Sequence, residues 1–129
     1  MAHIMLDIET LSTAQNALVL SVGMVLFDES TIFSKVYIKN RVSTATGDVS
    51  KDTAIWWMSQ NDEARKAITE TKKGVVEMSE YSLVQELHEI LCSHSLKTIW
   101  SQGSFDQIII ESLMLRNGIE KTQLPKYYK

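Results

Sequence analysis

One cysteine, Cys92, is all the chain contains, so no disulfide can form within it, and a reducing compartment is the expected setting. Cys92 stands in "LHEILCSH", where a small buried hydrophobe is the expected role rather than a nucleophile. No apolar run approaches the ~20 residues of a membrane-spanning helix. The start, "MAHIMLDIE", lacks a basic segment followed by a long apolar one, which argues against a signal peptide. The expectation is a soluble cytoplasmic protein that meets no membrane. Basic excess is missing too: 13 Lys and Arg face 16 Asp and Glu, a formal net charge of -3. That excludes a broad phosphate-binding surface, so contact with nucleic acid must be local or screened by metal ions. No repeat, low-complexity segment or linker divides the 129 residues, and a single domain over 1–129 is expected.

What is present suffices for a core, with 44% hydrophobic residues. "HIMLDIE" (3–9), "ALVLSVGMVLFD" (17–28) and "IFSKVYIK" (32–39) read as three strands of an antiparallel meander, with Gly23 a bulge or close-packing point and a turn over 28–30. Residues 40–51 read as a loop. "DTAIWWMSQ" (52–60), behind an Asp52 cap, and "NDEARKAIT" (61–69), behind Asn61 or Asp62, read as short helices. Residues 71–80 read as a linker around Gly74. "SLVQELHEILCSH" (82–94) is the clearest helix, with a Ser82/Gln85 capping box and an apolar face of Leu83, Leu87, Ile90 and Leu91. "KTIWSQ" (97–102) is a strand leaving at Gly103, and "FDQIIIESLMLRN" (105–117) is a helix closed by Gly118. This order implies an α/β fold: a mixed sheet flanked by helices.

Asp7 and Glu9 lie two apart on the first strand, so their carboxylates share a face and repel each other unless a cation lies between them. Hard divalent cations take such oxygen ligands. Solvated acids on an edge strand are the ordinary alternative. Asp106 follows "WSQGSF" directly after a strand and within the first turn of a helix, which places it at the open end of the sheet. Alone it would be a helix N-terminal acid favoured by the dipole. The pairing of both elements is the unusual feature.

"MLDIETLSTAQNALVLSVGMVLFD" resembles the first acidic motif and following hairpin of the DEDD, or DnaQ-like, 3′–5′ exonucleases, and "IWSQGSFDQIIIESLMLRNG" resembles their second motif. "AIWWMSQNDEARKAI" is similar to the phage and prophage branch described as exodeoxyribonuclease VIII-like or exoribonuclease-like. The resemblance covers essentially the whole chain. It implies a ribonuclease H-like fold and phosphodiester hydrolysis at a single-stranded DNA or RNA 3′ end, with two magnesium or manganese ions clamping the scissile phosphate. By the same resemblance Asp7 bridges both metals, Glu9 serves the nucleophile-side ion and Asp106 the other. Thr10, Leu11 and Phe105 lie where the terminal nucleotide would rest. Core packing is the alternative for Leu11 and Phe105. Trp56 and Trp57 are candidates for base stacking or for core, while Arg41, Lys51, Arg65 and Lys66 are phosphate contacts or ordinary surface charge.

The family's third motif, a His or Tyr followed closely by a fourth acid, is not found. No Asp or Glu follows Glu120, no His follows His94, and Tyr127 and Tyr128 stand at the chain's end. His3, His88 and His94 lack the spacing. A domain truncated before its third-motif helix is expected, with hydrolysis weakened or lost. Its uncovered apolar surface would invite a partner or a second copy of the chain. Two other outcomes stand beside the exonuclease: an inactive nucleic-acid- or protein-binding module on the same fold, and a ribonuclease H-like endonuclease or integrase relative.

Overall fold

The structure, a computed structural model, describes residues 2–63, 76–93, 96–101 and 104–126, with backbone only for 96 and 97. β1 (Ala2–Thr10) alternates strictly, burying Ile4, Leu6 and Ile8 on one face and leaving Met5 and Asp7 exposed on the other. It pairs antiparallel with β2 (Val19–Phe27), which pairs antiparallel with β3 (Ile32–Asn40). The Asp28 side chain closes the β2–β3 turn by accepting the amides of Ser30 and Thr31, each at 2.8 Å. The expected meander is therefore present.

The linker expected over 71–80 holds a strand that the sequence concealed. β4 (Val76–Met78) is only three residues long, and its pairing with β3 is parallel and remote in sequence. β5 (Leu96–Trp100) runs parallel to β1 on the other side. The sheet order is β4-β3-β2-β1-β5, five strands rather than four, and β1 is an interior strand, not an edge.

Three α-helices are described. α1 (Lys51–Met58) starts at Ser50, whose side chain accepts the Thr53 amide, so Ser50 and not Asp52 is its cap. α2 (Glu80–Leu91) likewise begins earlier than expected, capped by Ser79 in place of Ser82. α3 (Phe105–Arg116) ends as expected at Gly118 (φ 93°): the Ile119 amide returns to the Met114 carbonyl and the Gly118 amide to Leu115, the pattern of a Schellman cap. Asp62 and Glu63 are helical. The remainder of the helix expected over 61–69, with Arg65, Lys66, Gly74, His94, Gly103, Tyr127 and Tyr128, lies outside the described residues.

The core lies on one face of the sheet. Ile4, Leu6, Val22, Met24, Ile38 and Ile99 join Leu83, Val84, Leu87 and Leu91 of α2 and Ile109, Ile110, Leu113 and Met114 of α3 in one cluster. Ile90 is only partly buried against it. Among the described residues, no helix is long and apolar enough to cross a membrane. Cys92 is exposed, not buried: it caps the C-terminal end of α2, and partial desolvation holds its thiol above the ordinary range, the opposite of an activated thiolate.

Candidate active site

The period-2 pattern that buries Ile4, Leu6 and Ile8 puts Asp7 and Glu9 on the open face, away from the core helices. Pairing breaks directly after Glu9. Glu9 faces Ser21 and Thr10 faces Val19, which leaves Leu20 without a partner and makes a bulge. The expected bulge at Gly23 is thus displaced, and Gly23 pairs regularly with Asp7. Nor does packing demand a glycine there: a Cβ would stand 3.5 Å from the Tyr37 ring, an ordinary contact.

Asp106 enters from the first turn of α3. Although only 7% of its surface is exposed, its Oδ2 has no hydrogen-bond partner among the described residues. Burial, and then the charge of Asp7, push its carboxyl up to about 6. Glu9 is raised by burial first and then by the charges of Asp7 and Asp106. The three acids therefore share one electrostatic neighbourhood, although Asp106 is 97 residues from Glu9. Among the described residues, no group of three His, Cys, Asp or Glu side chains is gathered tightly enough to hold an ion by itself. The donor set nevertheless fits a hard divalent cation: all carboxylate oxygen, two members destabilised in the charged form, and one buried oxygen without a donor among the described residues.

The neighbouring candidates divide. Thr10 is half-buried, and its hydroxyl donates to the Ser12 carbonyl at 2.8 Å. Leu11 is half-buried and outside the core cluster; its amide donates to Leu18 at 3.0 Å and its carbonyl accepts from Ser50 at 2.8 Å. Phe105, 38% exposed beside Asp106, is not core. The Trp57 indole N–H donates to the Thr10 carbonyl at 3.0 Å, whereas Trp56 is 54% exposed. His3 is engaged well away from the acids, stacked on Phe27 and bonded to Trp100 and Glu29. His88 is tied to the Gln123 carbonyl at 2.7 Å.

The sequence reading passed over Tyr37. It follows from the alternation of β3, but its partner did not: the register across β2 puts the ring over Gly23, with the hydroxyl donating to Ser21 Oγ at 3.0 Å. Tyr37, Gly23, Lys35, Met5 and Asp7 line an open groove of about 370 Å³. The groove thus runs across the open face of the sheet and reaches the acid on β1.

An α/β sheet of this order, with α2 and α3 packed on one face and the acids of β1 coupled to the acid in the first turn of α3, is a ribonuclease H-like domain, and comparison with solved structures agrees. An exonuclease I structure, described in connection with processivity, superposes with a TM-score of 0.64 at 12% identity over 90% of this chain. A moderately thermophilic exonuclease I from Methylocaldum szegediense gives 0.64 at 11% identity, also over 90%. This chain spans only 24% of either neighbour. The chain belongs to the 3′–5′ exoribonuclease Rv2179c-like domain family, whose model matches residues 2–129. It is thereby a 3′–5′ exonuclease domain by family. No curated protein sequence matches it.

Proposed function

We propose that this domain removes nucleotides from the 3′ end of single-stranded nucleic acid with the help of magnesium or manganese ions held by Asp7, Glu9 and Asp106. One observation supports this most: a buried Asp106 oxygen without a donor among the described residues, on a carboxyl that Asp7 repels and that in turn raises Glu9. Three carboxyls so placed oppose one another, and a divalent cation reverses the sign of that interaction. The ions, when bound, would screen the scissile phosphate and supply the nucleophile at neutral pH. The chain's own residues do the rest. β1 fixes Asp7 and Glu9 on one face, and α3 brings Asp106 to them. Thr10 and Leu11, held by Ser12, Leu18 and Ser50, offer a fixed edge for the terminal nucleotide, and the exposed Phe105 offers it an aromatic face.

End-labelled single strands of DNA and RNA, incubated with manganese beside an Asp7→Ala variant, test this. Stepwise shortening from the 3′ end that needs the metal and vanishes in the variant is expected. Binding without shortening would identify an inactive module on this fold, and cleavage of circular strands an endonuclease.

A further inference from the structure

We infer that Trp56 is a stacking platform for a nucleobase of the bound strand, held beside the acids by its neighbour Trp57. The inference rests on the exonuclease reading only for the identity of the strand. α1 buries no residue in the core, yet it is not loosely placed. The Ser50 amide at its start donates to the Leu11 carbonyl (2.8 Å), and the Trp57 indole near its end donates to the Thr10 carbonyl (3.0 Å). Two consecutive carbonyls, the first following Glu9 directly, thus fix both ends of the helix to the exit of β1.

Trp57 spends its polar edge on this anchor and, in T-shaped contact, supports Trp56, their ring centroids 4.9 Å apart. The backbone of Trp56 is held as well: its carbonyl accepts from Ser59 Oγ at 2.7 Å and Gln60 Nε2 at 3.0 Å, which leaves the T-shaped contact with Trp57 to orient the ring. Its own indole N–H has no partner among the described residues, and the side chain stays more than half exposed. A large aromatic surface held rigid, left wet and set beside a phosphate-processing site suits a base, because every base offers a π-face whatever its identity. The same geometry predicts little sequence preference at this position.

Fluorescence anisotropy of a labelled ten-nucleotide single strand, with calcium ions replacing magnesium, reads the contact directly. Trp56→Ala is expected to weaken binding about 5- to 100-fold. Trp56→Phe should retain most of it, whereas Trp56→Leu, apolar without a π-face, should not. A strand made abasic throughout should bind the wild type and Trp56→Ala alike. Cleavage of the same strands with manganese is followed in parallel. Strands bound through Trp56 but never shortened would remove hydrolysis and keep the stacking. The inference is overturned if Trp56→Ala binds within twofold of the wild type, if Trp56→Leu rescues binding, or if the wild type binds no single strand.

Discussion

Two buried acids, Asp106 and Glu80, respond to their surroundings in opposite directions, and pH separates them. Asp106 is pushed up to about 6 by burial and by Asp7, so the folded protein holds its proton more tightly than the unfolded chain does. Its contribution to stability is greatest below the unfolded value near 4 and is lost as pH rises towards 6. Asp106→Asn, which cannot charge, should therefore stabilise the metal-free protein at pH 7 by on the order of 2 kcal/mol and flatten stability between pH 4 and 6. Urea denaturation at several pH values measures both. Glu80 is only 2% exposed. Burial pushes it up, but hydrogen bonds from the Thr46 amide and hydroxyl, Asn117 and Asn40 outweigh that and leave it lowered. Its stabilisation is full above pH 4.5 and disappears as pH falls through its folded value. Glu80→Ala takes the acceptor from four donors on three residues and should cost about 3–5 kcal/mol with no gain at neutral pH, by the same urea measurement. One acid thus holds the fold together, while the other, once charged, weakens it.

At the scale of elements, the two glycines with positive φ among the described residues make a contrasting pair. Gly118 (φ 93°) closes α3, and a Cβ there would meet nothing within 4 Å; Gly118→Ala should lose only the backbone term, about 1–2 kcal/mol. Gly47 (φ 115°) lies where the 45–50 loop presses on residues 16–18, and a Cβ would fall 2.6 Å from the Asn16 carbonyl and 2.9 Å from the Leu18 amide. Both partners are backbone and cannot yield, so Gly47→Ala should cost more than Gly118→Ala, by at least about 2 kcal/mol in thermal unfolding. The same contrast shows what was legible in the sequence. Gly118 announced itself because a helix stop is a local event, and so did the face shared by Asp7 and Glu9. Asp106 could be read because strand, turn and helix are contiguous. Gly47 could not, since its constraint comes from Asn16 and from Arg116, whose guanidinium bonds the Ala17 and Thr46 carbonyls. β4 was hidden by its brevity, and the caps slid by three residues or fewer because Ser50 and Asp52, or Ser79 and Ser82, carry equally suitable oxygens. The Trp57–Thr10 bond joins residues 47 apart, beyond any local pattern.

At the scale of the whole molecule the sheet divides its labour between two faces. The closed face, with α2 and α3 upon it, carries the apolar cluster and hence the stability; the open face carries the groove and the acids of β1. Alternation along one strand produces both, since Ile4, Leu6 and Ile8 cannot turn inward without turning Asp7 and Glu9 outward. Charge on the open face can therefore change sign of interaction without disturbing the core, and ligand binding there should add to global stability by mass action. With magnesium or manganese at ten times its dissociation constant, the gain is about 1.4 kcal/mol, or roughly 3–6 °C in the melting temperature of a chain this size. The rise should be present at pH 7.5 and shrink below pH 5, where Asp106 holds a proton that the metal must displace. Asp7→Asn combined with Asp106→Asn should melt higher than the wild type without metal and shift little with it. Equal metal-induced shifts in the wild type and the double variant, followed by differential scanning calorimetry, would place the cation elsewhere and detach the acids of β1 and α3 from its binding.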